Sequence, residues 1–297
     1  MFPAQSSASS ENLRGIVAMV VAVGFFSVMD ALLKTLSAHY PAMQVAALRG
    51  WAALPLVVLY VLWRREVPGL LKVRWPLHLL RGVLNVSMLA LFAYALKELA
   101  LAEAYTLFFI APLLITALST VVLGEKVRGE HWVAIALGMV GVVVALRPSQ
   151  DALFTVGALA VLGAAIGYAV SAITGRVLTR TDSSASLVFW ATAFLALGAG
   201  ALAWPNWVGV EQAHWPLVAG LAVTGFAGQL AITQAFKHGQ AAVVAPFEYT
   251  ALAWGLGLDW VLWHTVPGAS TLLGGAIIIG SGLYLVRQER KRPVAPS

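Results

Sequence analysis

Apolar residues run along this chain in stretches of about 20, each closed by a short polar or charged turn. A helix needs about 20 residues to cross a hydrocarbon core, so each stretch is long enough to be one span. The pattern predicts spans near 13–36, 42–64, 75–98, 101–123, 130–147, 154–178, 184–203, 215–237, 240–262 and 270–287. Lys97, Glu98 and Glu103 leave a very short turn between the third and fourth. No segment alternates with period two, which argues against a barrel. The expected fold is all-α: a polytopic membrane protein of ten transmembrane helices. Residues 1–12 are rich in Ser and Ala and lack the basic start of a secretory signal. They read as a disordered cytoplasmic tail, and 288–297 as a basic cytoplasmic tail.

Composition agrees. Of 297 residues, 60% are hydrophobic and 11% charged, against about 25% charged in a soluble domain. The net charge of +6 does not point to nucleic acid, because its location follows the membrane. One side of a ten-span layout holds Arg14, Arg64, Arg65, Lys72, Arg74, Lys126, Arg128, Arg176, Arg180, Lys237, Arg287, Arg290, Lys291 and Arg292. The other holds only Lys34, Lys97 and Arg147. Cytoplasmic loops carry the excess of Lys and Arg, so both termini are expected in the cytoplasm. Trp204, Trp207 and Trp215 cluster on the other side, where interfacial anchoring is the expected role.

The chain also repeats itself. Pro112 in the fourth span is followed by Glu125, and Pro246 in the ninth by Asp259, each after 12 intervening residues. Gly-containing apolar spans follow both (Gly138 and Gly141; Gly274, Gly275, Gly280 and Gly282). Lys97 and Lys237 close the spans before them. Residues 13–147 and 154–287 therefore read as two five-helix repeats. Five is odd, so the second repeat enters the membrane inverted, an arrangement typical of secondary transporters.

The segment ALAEAYTLFFIAPLLITALSTVVLGEKVRGEHWVAIALGMVGVVVAL, with Pro112 in its first helix and Gly124-Glu125 closing it, resembles the fourth and fifth helices of the drug/metabolite transporter superfamily, in its ten-helix, two-repeat (EamA-like) form. Asp259 replaces the Gly-Glu in the second half, where the sequence departs from the pattern. Within the superfamily the chain looks most like bacterial aromatic amino acid exporters. The resemblance implies an inner-membrane location and a cavity lined by helices one, three, four, six, eight and nine. It also implies export of metabolites or drugs, sometimes coupled to protons.

Ionisable groups inside a span usually face a cavity or a partner. Asp30 and Arg49 each lie about 10 Å below the side opposite the termini, where they suit an ion pair or proton coupling. Arg81 and Glu248 lie about 9–12 Å from the terminal side and allow a second pair. His78, Arg81 and Asn85 share one helical face, which three polar groups would not turn to lipid. Gln229 and Thr233, with Phe236, form a similar stripe; Tyr105 and Phe108 lead to Pro112 and Thr116 on another. Tyr168 and Ser171, and Tyr249 beside Glu248, complete an expected cavity with aromatic walls and a few hydrogen-bonding groups. Such a cavity suits a zwitterion with an apolar side chain. Pro112 and Pro246 each remove a helical hydrogen bond and are candidate hinges. Gly163 and Gly167 mark a close helix approach.

There is no cysteine, hence no disulfide and no thiolate metal site, and no metal or cofactor is expected. HExxH, Walker A and GxSxG motifs are absent, which argues against an enzyme and against ATP-driven transport. The expectation is a monomeric secondary transporter, partnered by the bilayer and a small-molecule substrate, that exports neutral amino acids. A drug or nucleoside carrier of the same fold is the alternative. An intramembrane enzyme or passive channel is disfavoured: His78 has no nucleophile beside it in the sequence, and repeated halves suit a pore within one chain.

Overall fold

In the computed structural model the described residues are 6–95, 98–99, 101–147, 155–264 and 268–290, and they contain no strand. Lys97, Lys291, Arg292 and the first residue of the expected second repeat, 154, lie outside them. Among the described residues ten helices are long and apolar enough to cross a membrane. In chain order the helices are α1 (Ser6–Ser37), α2 (Ala42–Trp63), α3 (Trp75–Ala95), α4 (Leu101–Phe108), α5 (Ala111–Leu123) and α6 (Gly129–Leu146). The second repeat holds α7 (Val156–Leu178), α8 (Ser184–Ala203), α9 (Trp215–His238), α10 (Ala241–Val244), α11 (Thr250–Trp263) and α12 (Ala269–Arg290).

Two spans are broken, and at corresponding places. The fourth is α4 plus α5, separated by Phe109 and Ile110, with Pro112 in the first turn of α5. The ninth is α10, a 3₁₀ turn over Ala245–Tyr249 that holds Pro246, then α11. Proline has no N–H and clashes with the preceding turn, so the helix breaks just before it. Phe109 N–H still donates to Tyr105 O at 2.9 Å and Leu114 N–H to Ile110 O at 3.1 Å, so the backbone is bonded across the break. A Trp-Pro-Leu triplet opens both α3 and α9, the third spans of their repeats: Trp75, Pro76, Leu77 and Trp215, Pro216, Leu217.

Packing partners obey the exchange of span n with span n+5. Span one (α1) packs on span eight (α9), and its image, span six (α7), on span three (α3). Spans two and seven (α2, α8) pack on each other, as do five and ten (α6, α12). All of these extensive interfaces join one repeat to the other. Small residues allow the close approaches. A Cβ on Gly50 of α2 would come within 2.7 Å of the Ala196 backbone of α8. Gly141 of α6 and Gly274 of α12 are likewise pressed against each other's backbone or neighbours. Gly163 and Gly167 face Leu91 and Leu84 of α3.

Two expectations change. Residues 6–12 are the first turns of α1 and not a disordered tail. Asn12 is buried: its amide donates to Glu289 at 3.1 Å, and its oxygen accepts from Gln240 N–H. Those bonds hold the helix start, and Glu289, also buried, places 288–290 in α12. Of the three tryptophans, Trp204 and Trp215 are exposed, but Trp207 stacks on Trp51 with ring centroids 5.2 Å apart.

Candidate functional site

A cavity of about 310 Å³ lies between a group formed by α1, α2 and α9 and a group formed by α3, α7 and α8. Both groups draw on both repeats. Asp30, Arg49, Arg81, Asn85, Phe108, Tyr168, Gln229 and Thr233 line it, all of them singled out by sequence pattern. The helical-face argument works for Arg81 and Asn85, which sit one turn apart on α3. Asn85 Oδ1 accepts from the Ser171 hydroxyl at 2.7 Å, which ties α3 to α7 at the wall. Thr233 turns its hydroxyl back onto the Gln229 backbone carbonyl, 2.7 Å away, and both residues line the cavity. Phe26 flanks Arg49, whose guanidinium carbon lies 5.8 Å from the ring centroid, a cation–π distance.

Neither of the two possible ion pairs reaches contact distance. Among the described residues no nitrogen–oxygen approach within 4.0 Å joins Asp30 to Arg49 or Arg81 to Glu248. Asp30 is exposed, but it opens onto the cavity. Arg81 packs its guanidinium against Gly175, and its Nε and Nη1 are buried with no hydrogen-bond partner among the described residues. Glu248 stands one shell behind the wall, where its Oε1 accepts from the Tyr168 hydroxyl at 3.0 Å.

Three predicted cavity residues lie elsewhere. His78 is near the start of α3, where its side chain meets the α7–α8 turn; Nε2 bonds Asp182 Oδ2 at 2.9 Å. Burial alone would raise the Asp182 carboxyl, but hydrogen bonds from the Thr181 hydroxyl, His78 and the Arg74 N–H outweigh it and hold the group below its ordinary value. Tyr105 packs in an aromatic cluster with Phe92 and Phe109, behind the wall to which Phe108 contributes. Tyr249 is fully buried against Gly138 and Ile278, in a cluster between α6 and α12. A tyrosine in an apolar span carries no sign in the sequence of which side it faces. The wall also departs from the expected helix set: α2 and α8 contribute to it, and none of the described side chains of the ninth span does.

A second polar assembly crosses the terminal end of the cavity. Gly124, at φ +65°, ends α5 in the left-handed conformation and sends the chain to Glu125, whose N–H bonds Ser119 O. The Glu125 carboxylate accepts from Ala241 N–H at 3.1 Å and Ala242 N–H at 3.2 Å, the first turn of α10. Arg176, in the last turn of α7, places Nε 3.6 Å from Glu125 and donates through Nη1 to the Phe236 and Lys237 carbonyls that end α9. Phe236 itself lines the cavity. Spans four, six, eight and nine thus meet at one ion pair. Arg176 had read as a loop charge, because it sits where a span ends.

The residue ranges 13–147 and 155–287 each match the EamA-like transporter family. The chain belongs to that family. It is 29% identical over 278 residues to the pseudopaline exporter of Pseudomonas aeruginosa, covering 93% of this chain and 97% of the relative. It is 27% identical to a riboflavin transporter of Vibrio cholerae, over 94% and 95% of the two chains. An S-adenosylmethionine uptake transporter of Rickettsia prowazekii is 25% identical over 94% of each. A crystal structure of a 22% identical protein superposes with TM-score 0.80, covering 96% of this chain and 100% of that one, which shows the shared fold. This EamA-like protein is therefore a small-molecule transporter of the membrane, not an enzyme.

Proposed function

We propose that this transporter exports neutral amino acids, aromatic ones among them, across the bacterial inner membrane, with both termini in the cytoplasm and one chain as the working unit. The observation that carries the reading is the cavity between the two helix groups, in which Asp30 and Arg49 both face the open space and are not paired with each other. An α-amino acid head offers one ammonium and one carboxylate, the complement of that arrangement. Phe26, Phe108 and Tyr168 supply apolar wall for a side chain.

Because the repeats interleave, they do not serve as the two moving bodies. The α1–α2–α9 and α3–α7–α8 groups do, separating alternately at either face. The Glu125–Arg176 assembly, which ties the ends of α7 and α9 to the start of α10, is the gate of the terminal face in this reading. The broken fourth and ninth spans, at Pro112 and Pro246, supply the bends. Transport runs down the solute gradient or with protons, Asp30 and Glu248 being the carboxyls at hand. A second reading, a larger exported metabolite, is favoured by the 29% identity to pseudopaline exporters.

The test is uptake of radiolabelled phenylalanine, tryptophan, threonine and methionine into proteoliposomes, with and without a pH gradient. Saturable uptake without a gradient supports facilitated diffusion, and uptake only with one supports proton coupling. Folded, inserted protein that moves none of them overturns the amino acid reading and leaves the second.

A further inference from the structure

The charges of the cavity wall are not placed for a compact amino acid alone. Among the described residues three charged ones line it, Asp30, Arg49 and Arg81, which leaves one positive charge in excess. They form two poles. Asp30 lies seven residues before the end of α1 and Arg49 seven after the start of α2, so both sit about 10 Å below the face opposite the termini. Arg81 lies six residues after the start of α3, about 9 Å from the terminal face. In a core about 30 Å thick, the poles are separated by about 10 Å along the membrane normal. The ammonium and carboxylate of an α-amino acid stand on one carbon and reach one pole only.

The second pole is unsatisfied. Arg81 Nε and Nη1 are buried without a hydrogen-bond partner among the described residues, and the side chain borders the cavity. A buried guanidinium without partners is costly, and a carboxylate that reaches one of its edges supplies charge-assisted hydrogen bonds. The Tyr168 hydroxyl on the same wall is already given to Glu248, and the Ser171 hydroxyl to Asn85.

Resting on the amino acid reading above, we infer that the preferred solute is an amino acid derivative with a second carboxylate well removed from its head. Its ammonium faces Asp30, its α-carboxylate Arg49, and its distal carboxylate Arg81. That solute carries one net negative charge, which cancels the excess of the wall. Apolar groups between its ends lie along Phe108 and Leu89.

The test is equilibrium binding by calorimetry to the purified chain in nanodiscs, with three probes: phenylalanine, γ-glutamylphenylalanine and the C-terminal amide of that dipeptide. The acid dipeptide is expected to bind at least about tenfold more tightly than its amide. Arg81→Gln is expected to remove the difference between acid and amide, and Arg81→Lys to keep part of it. Phenylalanine binding with equal affinity for acid and amide in the wild-type chain overturns the inference and leaves the amino acid reading standing. No binding of any of the three overturns both. The wild-type comparison needs no variant, so a misfolded Arg81→Gln does not blunt the test.

Discussion

Replacing Glu125 by Gln is expected to loosen the terminal face. The carboxylate now takes two backbone N–H groups of α10 at 3.1 and 3.2 Å and stands 3.6 Å from Arg176 Nε. An amide keeps one accepting oxygen, turns an NH₂ group toward the other N–H, and loses its pull on Arg176. Hydrogen bonds to a charged group are worth about 1.5–3 kcal/mol each, so the closed arrangement loses about 2–3 kcal/mol. If the open arrangement lacks these contacts, the equilibrium moves toward it by roughly 30- to 150-fold. The chain has no cysteine, so spin labels can be placed without background. Arg180→Cys and Lys237→Cys put labels on exposed positions beside the ends of α7 and α9. Pulsed electron paramagnetic resonance should show a longer distance population in the Glu125→Gln background. A folded variant with an unchanged distance distribution would refute the gating role of this ion pair.

Further outcomes are expected. Gly50→Ala drives a methyl into the Ala196 backbone and should cost about 1–3 kcal/mol, read as a lower melting temperature in detergent. Tyr168→Phe removes the donor that Glu248 accepts from; the buried carboxylate should cost about 1–3 kcal/mol in the same assay, and an unchanged melt would show that water replaces the hydroxyl. Asp182 has a folded pKa below its unfolded value of about 3.9, so its contribution is complete above that pH and is lost as pH falls through the folded value. Asp182→Asn should therefore flatten the acid side of the stability profile, whereas equal acid sensitivity in both proteins would assign the loss to other carboxylates. Tyr40→Phe breaks the bonds of its hydroxyl to His214 (2.8 Å) and Glu211 N–H (2.9 Å), and the α8–α9 loop should then exchange its amide hydrogens faster.

The spans were legible because each apolar run is bounded by turns, and the fourth and ninth were marked as special by Pro112 and Pro246. Arg81 and Asn85 were legible as wall because charge and amide on one helical face leave few alternatives to a cavity. His78 shares that face but lies near the helix end, where a loop can reach it, and Asp182 did. Tyr105 and Tyr249 were misplaced because a tyrosine is at home both in a cavity wall and in an apolar helix interface. The ion pairs expected of Asp30 and Glu248 followed from depth alone, which fixes height in the membrane but not the direction around a helix axis. Glu125 and Arg176 were visible as residues, one as a helix closer and one as a loop charge. Their meeting depends on the interleaving of two repeats, which a single sequence does not display.

That interleaving also sets a timetable for synthesis. The last residue of α1 is made 178 residues before the first of its partner α9 (215 − 37). At about 5–20 residues per second, α1 waits roughly 9–36 seconds in the bilayer with Asp30 uncovered. Helix α3 waits far less for α7, because only the fourth and fifth spans separate them. Assembly is therefore expected to begin in the middle of the chain and spread outward, the first-made and last-made helices joining last. A nascent chain arrested before α9 should hold a protease-resistant α3–α7 core while α1 remains open to attack.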